Sequence, residues 1–157
     1  MRTHIARTIA AALAIIVCGA ALASAQAANP RLGKWKLKQD APPPALNIMT
    51  YEPFGTSGMK VTVESTNREG KKSTWTYNTT FDGKDMPVSG DTRTETTAVR
   101  KVDDRTNEIT NKRGGNVTQV IVNVLSADGM RIDNTYKNYN EKGELTNTTT
   151  AVYERMR

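Results

Sequence analysis

The sequence predicts an all-β protein: a single antiparallel up-and-down β-barrel of about 8–10 strands, preceded by an N-terminal signal peptide. Three observations predict it. Short segments of strict apolar–polar alternation recur along the chain, with turn signals every 8–12 residues or so, the spacing of an all-β sandwich or barrel. No stretch after Ala27 carries the 3.6-residue period of an amphipathic helix. Thr supplies 20 of the 132 residues from Gln26 onward, and its β-branched side chain favours strands.

The first 25 residues read as the signal peptide. Arg2, His4 and Arg7 form a basic start, and the run Ile9 to Ala23 is uncharged and rich in Ala, Ile, Leu and Val. Ala23-Ser24-Ala25 has the small-x-small form of a cleavage site, and Ala25-Gln26-Ala27 repeats it. The apolar run falls short of the roughly 20 residues of a spanning helix, and no second such segment follows. Cys18 sits in this run behind Val17, so a lipid-attachment site, which needs a small residue there, is not expected. Removing Arg2 and Arg7 lowers the formal charge from +6 to +4. Residues 26–32 are expected to be a mobile leader, and 33–157 one domain.

The elements follow in order. Gly33 to Lys38 alternates, Trp35 and Leu37 on one face and lysines on the other. Pro42-Pro43-Pro44 must be a loop, because proline cannot donate to a strand ladder. Leu46 to Tyr51 makes a second strand, stopped by Pro53 and Gly55. Met59 to Glu64 alternates cleanly, and Asn67 to Gly70 turns. Ser73 to Phe81 alternates with Trp75, Tyr77, Thr79 and Phe81 on one face. Asp82-Gly83 is a hairpin signal. Asp85 to Ser89 holds Pro87 and should be an edge or irregular strand. Five more strands follow at Thr94–Val102, Glu108–Lys112, Val117–Leu125, Met130–Asn138 and Leu145–Glu154. Short links make neighbours in sequence neighbours in space, and closing the meander removes the exposed edges that promote aggregation.

Composition excludes several chemistries. The one His and the one Cys, His4 and Cys18, both precede residue 26. A Ser-His-Asp triad, a Cys-His nucleophile, His- or Cys-based zinc sites and haem ligation by those residues are therefore impossible in the domain. No disulfide staples it. Asp82, Asp85 and Asp91 cluster, but they lack the alternating acids and closing Glu of a calcium loop and read as turn formers. Gly114-Gly115 lacks the spacing of a phosphate loop. The basic pairs Lys71-Lys72 and Lys112-Arg113 read as solvated hairpin tips, so no nucleic-acid partner is expected. No cofactor and no metal are expected.

Gly33-Lys34-Trp35 is a G-x-W opening the first strand, and the last strand closes on Val152-Tyr153-Glu154-Arg155. In these features the chain resembles the lipocalin and fatty-acid-binding (calycin) superfamily. The resemblance implies that a late basic residue packs across the first-strand Trp and shuts one end of the barrel. Arg155 is the match for that residue, with Arg157 second. A cation over an indole face supplies the attraction. The chain also resembles small exported bacterial proteins described as lipocalin-like. The shared pattern is Gly33 to Leu37, Pro42 to Pro44, Trp75 to Tyr77, Asp82 to Gly90 and Val152 to Glu154. That likeness implies a fold and no particular activity. Two features depart from the superfamily: a Pro-rich loop stands where fatty-acid-binding proteins place two helices, and the disulfides of many lipocalins are absent.

Alternation places Trp75 and Tyr77, Met59, Val61 and Val63, Met130, Ile132, Asn134 and Tyr136, and Leu145, Asn147, Thr149, Ala151 and Tyr153 inside. Such an interior, apolar with Thr, Asn and Tyr added, suits a small-molecule pocket and a filled core equally. The first reading is a non-enzymatic envelope protein that binds a small hydrophobic or amphipathic ligand. Trp75, Tyr77 and Tyr136 are its candidate lining residues, and Arg100 its candidate partner for an anionic group. The second is a structural or interaction module with an envelope protein partner, which a cavity below about 300 Å³ would favour. The third is a carboxylate-based hydrolase, which would need two acids with raised pKa values in one pocket. Export places the mature chain in the periplasm or outside the cell.

Overall fold

The computed structural model describes residues 29–39, 45–90 and 93–157. The expected signal peptide, Pro42 to Pro44 and Asp91 lie outside them. The described residues form ten strands: β1 (Gly33–Leu37), β2 (Leu46–Phe54), β3 (Gly58–Thr66), β4 (Lys72–Thr79), β5 (Asp82–Pro87), β6 (Thr96–Lys101), β7 (Thr106–Arg113), β8 (Asn116–Leu125), β9 (Arg131–Tyr139) and β10 (Leu145–Arg155). Every ladder is antiparallel, and the strand order is β4-β3-β2-β1-β10-β9-β8-β7-β6-β5. Among the described residues no helix is long and apolar enough to cross a membrane.

The sheet curls into a nearly closed barrel whose seam lies between β4 and β5. Thr76 and Ser89 cross it, exchanging two backbone hydrogen bonds of 2.9 Å. Gly90 permits that approach. Its φ is +92°, and a Cβ there would stand 2.2 Å from the Thr74 carbonyl oxygen. Pro87 lies in β5, a terminal strand of the order, where a missing N–H is tolerated. Asp82-Gly83 is not a hairpin tip. It begins β5, whose register with β6 shifts between Asp82 and Asp85. Lys84 N–H donates to Asp82 Oδ1 at 3.1 Å, and Gly83 takes φ 77°. The same Asp-Gly chemistry serves a bulge as well as a turn. Phe81 does not continue the β4 face either. It sits after the strand end with φ 61°, its N–H donating to Thr79 Oγ1 at 2.9 Å.

Alternation explains the interior. Met59, Val61 and Val63 of β3 point in, and Lys60 and Glu64 are exposed. β2 adds Met49 and Tyr51, and β4 adds Tyr77. Across the barrel amides alternate with aliphatic residues: Asn107 and Asn111 on β7, Asn123 on β8 and Asn134 on β9 are buried beside Ile109, Ile121, Leu125 and Ile132. The interior therefore has one apolar, aromatic wall and one wall in which carboxamides alternate with aliphatic side chains. On β10 only Tyr153 is buried. Leu145, Asn147 and Thr149, expected inside, are exposed. Among the described residues β1 pairs with β10 only from Trp35 to Leu37, so this part of β10 runs past its neighbour.

One end is capped. Trp35 is fully buried and pairs in register with Arg155. The Arg155 guanidinium carbon lies 4.2 Å from the Trp35 ring centroid. Its Nε donates to Gly129 O and its Nη1 to Leu32 O, both at 2.8 Å. A Cβ at Gly33 would come within 3.0 Å of that Nη1, and Gly33 has φ +124°, which accounts for the glycine of G-x-W. Residues 29–32, expected in a mobile leader, instead form a turn folded over this end. Trp35 Nε1 donates to Arg31 O at 2.8 Å, and Arg31 itself is 3 % exposed. Its guanidinium donates to the Asn123 amide and the Arg105 carbonyl, which ties the turn to the barrel.

Candidate functional site

A partly open chamber of about 190 Å³ occupies the barrel interior beyond the capped end. Met49, Tyr51, Val61, Val63, Trp75 and Tyr77 from β2, β3 and β4 line one side. Asn111, Gln119, Asn123, Asn134 and Tyr136 line the other, interleaved with Ile109 and Ile121, with Asn47 and Tyr153 between them. Trp75 and Tyr77 stack, ring centroids 5.8 Å apart and planes 12° from parallel. They are successive inward residues of β4, so the strand's own pleat sets the stack.

The volume falls below the 300 Å³ or so of drug-sized ligand sites and above the roughly 150 Å³ of a cavity that holds benzene. Asn47 and Trp75 also line an outer vestibule of about 430 Å³, together with Asn67, Lys71, Ser73 and Arg93. The two concavities meet at that pair of residues. A larger open groove, about 590 Å³, lies at the capped end between the 29–32 turn, the β2–β3 turn and Phe81. There Lys101 already pairs with Asp104 at 2.8 Å.

The carboxamide wall is hydrogen-bonded in two chains. In the first, Arg31 Nε donates to Asn123 Oδ1 at 3.1 Å, Asn123 Nδ2 to Asn134 Oδ1 at 2.8 Å, and Asn134 Nδ2 to the Tyr136 hydroxyl at 3.0 Å. In the second, Thr97 Oγ1 donates to Asn111 Oδ1, Asn111 to Gln119 and Gln119 to Asn138, at 2.8, 3.0 and 2.8 Å. The Tyr153 hydroxyl donates to Asn47 Oδ1 at 3.2 Å, and Tyr51 donates to Met49 Sδ at 3.5 Å. Tyr77, 5 % exposed, has no hydrogen-bond partner for its hydroxyl among the described residues.

Burial dominates the electrostatics. It pushes the Tyr51, Tyr77 and Tyr153 hydroxyls well above the usual phenol range, and neighbouring tyrosines add to the effect. It draws the Arg31 guanidinium below its ordinary value, though an arginine stays charged. Arg31 also donates to the Arg105 carbonyl, and its side-chain acceptors are neutral. No Asp or Glu lines the chamber. Asp82, Asp103, Asp104 and Asp128 are held below the usual carboxylate range, the first two chiefly by backbone N–H donors in turns. No group of His, Cys, Asp or Glu that could hold a metal occurs among the described residues.

Of the residues singled out by the sequence, Trp75, Tyr77 and Tyr136 come together in the chamber lining. Arg100 does not join them. It is exposed, opposite Glu108 in the β6–β7 register, and the two form an ion pair of 2.9 Å on the outer face. Val99 is the inward residue, 2 % exposed, so its neighbour must face out. Of the amides, Asn134 was expected inside, and Asn47, Asn107, Asn111, Gln119 and Asn123 escaped sequence reasoning. Their signal was Asn at i and i+4 on β7, 107 and 111, inside a strand pattern.

No family model matches the chain, and no curated protein matches it. Among solved structures it is similar to the crystal structure of a mutant of the fluorescent protein UnaG, a fatty-acid-binding-protein-like barrel. The TM-score is 0.54, with 79 % of this chain and 94 % of that chain covered. The fold is calycin-like. At 12 % identity the likeness is one of fold alone. This calycin-like barrel keeps its own interior: the amide wall and the Trp75–Tyr77 stack are read from this chain's residues.

Proposed function

We propose that the protein is a non-enzymatic, exported calycin-like barrel that binds a small, partly hydrophobic molecule in its interior. One observation carries the reading: an interior chamber walled on one side by the Trp75–Tyr77 stack and on the other by ordered carboxamides interleaved with Ile109 and Ile121. Binding sites of this kind are mostly apolar with a few fixed polar groups. The size of the chamber points to a ring compound rather than a long lipid chain. Export rests on the signal-peptide pattern of residues 1–25. Native mass spectrometry of mature protein purified from its host envelope tests this. A reproducible extra mass, lost on unfolding, supports binding. A clean apo mass, with no quenching of Trp fluorescence by any ring compound, overturns it.

A second reading, an envelope interaction module, is favoured by the modest chamber and by one edge. Among the described residues β10 pairs with β9 alone from Leu145 to Ala151, and open edges add strands. Cross-linking in the envelope that captures a defined protein through this edge would support it.

A further inference from the structure

We infer that the chamber and the vestibule form one bipartite site for short aromatic acids, with the ring inside and the carboxylate outside, at Lys71 and Arg93. This rests on the ligand-binding reading above and names the ligand class and its orientation. The argument begins in the strand register. β2, β3 and β4 align their inward residues in level rows: Tyr51, Val61 and Tyr77, then Met49, Val63 and Trp75, then Asn47, Ser65 and Ser73. Successive rows are two residues apart, roughly 7 Å along each strand. The first two rows are apolar and aromatic, and they line the chamber. The third is polar and lines the vestibule, its Ser65 and Ser73 hydroxyls 2.7 Å apart. Beyond it lies Lys71, in the turn between β3 and β4. Its N–H donates to Asn67 Oδ1 at 2.8 Å, and Asn67 N–H donates to its carbonyl at 3.0 Å, so the backbone that carries this ammonium is fixed. Along one face the surroundings thus pass from ring and hydrocarbon to hydroxyl to cation.

Charge decides which way a ligand lies. Among the described residues, Lys71 and Arg93 line the vestibule and no Asp or Glu does. Both are exposed. No Lys, Arg, Asp or Glu lines the chamber. Arg31 stands behind Asn123, with its Nε and Nη2 committed to Asn123 and the Arg105 carbonyl. A carboxylate pushed into the chamber would lose its water and meet no counterion, at high cost. In the vestibule it keeps water on one side and has two cations on the other. Asn47 and Trp75 belong to both linings. A ring lying against Trp75 therefore reaches the vestibule through one or two bonds, and an acid group attached directly to the ring suffices.

The test compares three single-ring probes of one shape by isothermal titration calorimetry: 4-methylbenzoate, the neutral 4-methylbenzyl alcohol, and terephthalate, in which a second carboxylate replaces the methyl group. At low salt 4-methylbenzoate is expected to bind about tenfold tighter than the alcohol. The gap should close at about 0.5 M salt, because exposed charges are screened. Terephthalate should bind roughly tenfold more weakly than 4-methylbenzoate or worse, since one of its carboxylates must enter the chamber. Lys71→Ala combined with Arg93→Ala should bring the acid down to the affinity of the alcohol, and Lys71→Ala alone should take it part of the way. Equal affinities of acid and alcohol at low salt, or terephthalate as tight as 4-methylbenzoate, would overturn the bipartite site and leave the binding chamber standing. Binding of none of the three would overturn both.

Discussion

Arg31 and Asn123, 92 positions apart in sequence, meet in a buried hydrogen bond of 3.1 Å. The turn that folds over the capped end is thereby joined to the chamber wall. Asn123 is 1 % exposed and serves two partners, Arg31 and Asn134. Asn123→Leu removes both bonds and leaves the buried Arg31 guanidinium only its backbone acceptors, the Arg105 and residue-123 carbonyls. Loss of a partner from a buried polar network of this kind costs about 3 kcal/mol. Urea denaturation of the variant measures it, and loss under about 1 kcal/mol would show that water replaces the amide.

Arg155→Met keeps the alkyl stem but removes the cation over Trp35 and the bonds to Gly129 and Leu32. The expected loss is about 2–4 kcal/mol. Trp35 emission should shift to the red as water reaches the indole, whereas Trp75 emission should hardly change. The emission of a double variant with Trp75→Phe isolates the effect.

Gly90→Ala places a methyl 2.2 Å from the Thr74 carbonyl oxygen at a left-handed φ. The seam must open, and destabilisation of about 2 kcal/mol or more is expected. Gly115→Ala has a positive φ too but open space around it, so about 1 kcal/mol is expected there. Hydrogen exchange at the Thr76 and Ser89 amides, compared between the two variants, separates seam opening from general loss.

Stability should fall at alkaline pH. Tyr51, Tyr77 and Tyr153 have folded-state pKa values raised above the ordinary value of about 10. Above that pH the unfolded chain loses these protons and the folded chain keeps them, so unfolding becomes easier as pH rises. Below it their contribution is complete. Tyrosinate absorbance from these three should appear together with loss of β-sheet circular dichroism. Their titration in the folded barrel would contradict the burial assigned to them.

Arg100→Ala should leave probe binding unchanged. The residue pairs with Glu108 on the outer face, and exposed pairs contribute roughly 0–1 kcal/mol. A weakened affinity would mean that the outer face takes part in binding.

Strand positions were legible because inward and outward residues differ in kind along most strands. Met59, Val61 and Val63 against Lys60 and Glu64 is the clear case. The Trp35–Arg155 contact was suggested by the G-x-W resemblance, and the structure puts the two side chains together. The polar wall was harder to read. On β8 the outward residues Val120, Val122 and Val124 are as apolar as the inward Ile121 and Leu125, so parity alone did not mark Asn123 as buried. Arg31 was hidden for a different reason. Its burial follows from an acceptor on a distant strand, and a short run before the first strand carries no periodicity to reveal it. Arg100 was misplaced because a charge was sought for a ligand, while its own neighbour Val99 already held the inward position.

The seam lies mid-chain, between β4 and β5, while the pairing of β1 with β10 joins opposite ends of the domain. Apart from that ladder, every ladder links strands consecutive in sequence. The barrel is thus two local meanders, β1–β4 and β5–β10, and one distant closure. Folding speed tracks the average separation of contacting residues, so the β1–β10 ladder sets the slow, entropically expensive step. A circular permutant that links the two ends and starts at β5 would turn the ten strands into one unbroken meander. Its contact order would drop, its last closure would be the short seam at Thr76 and Ser89, and it should fold faster than the natural order of the same strands.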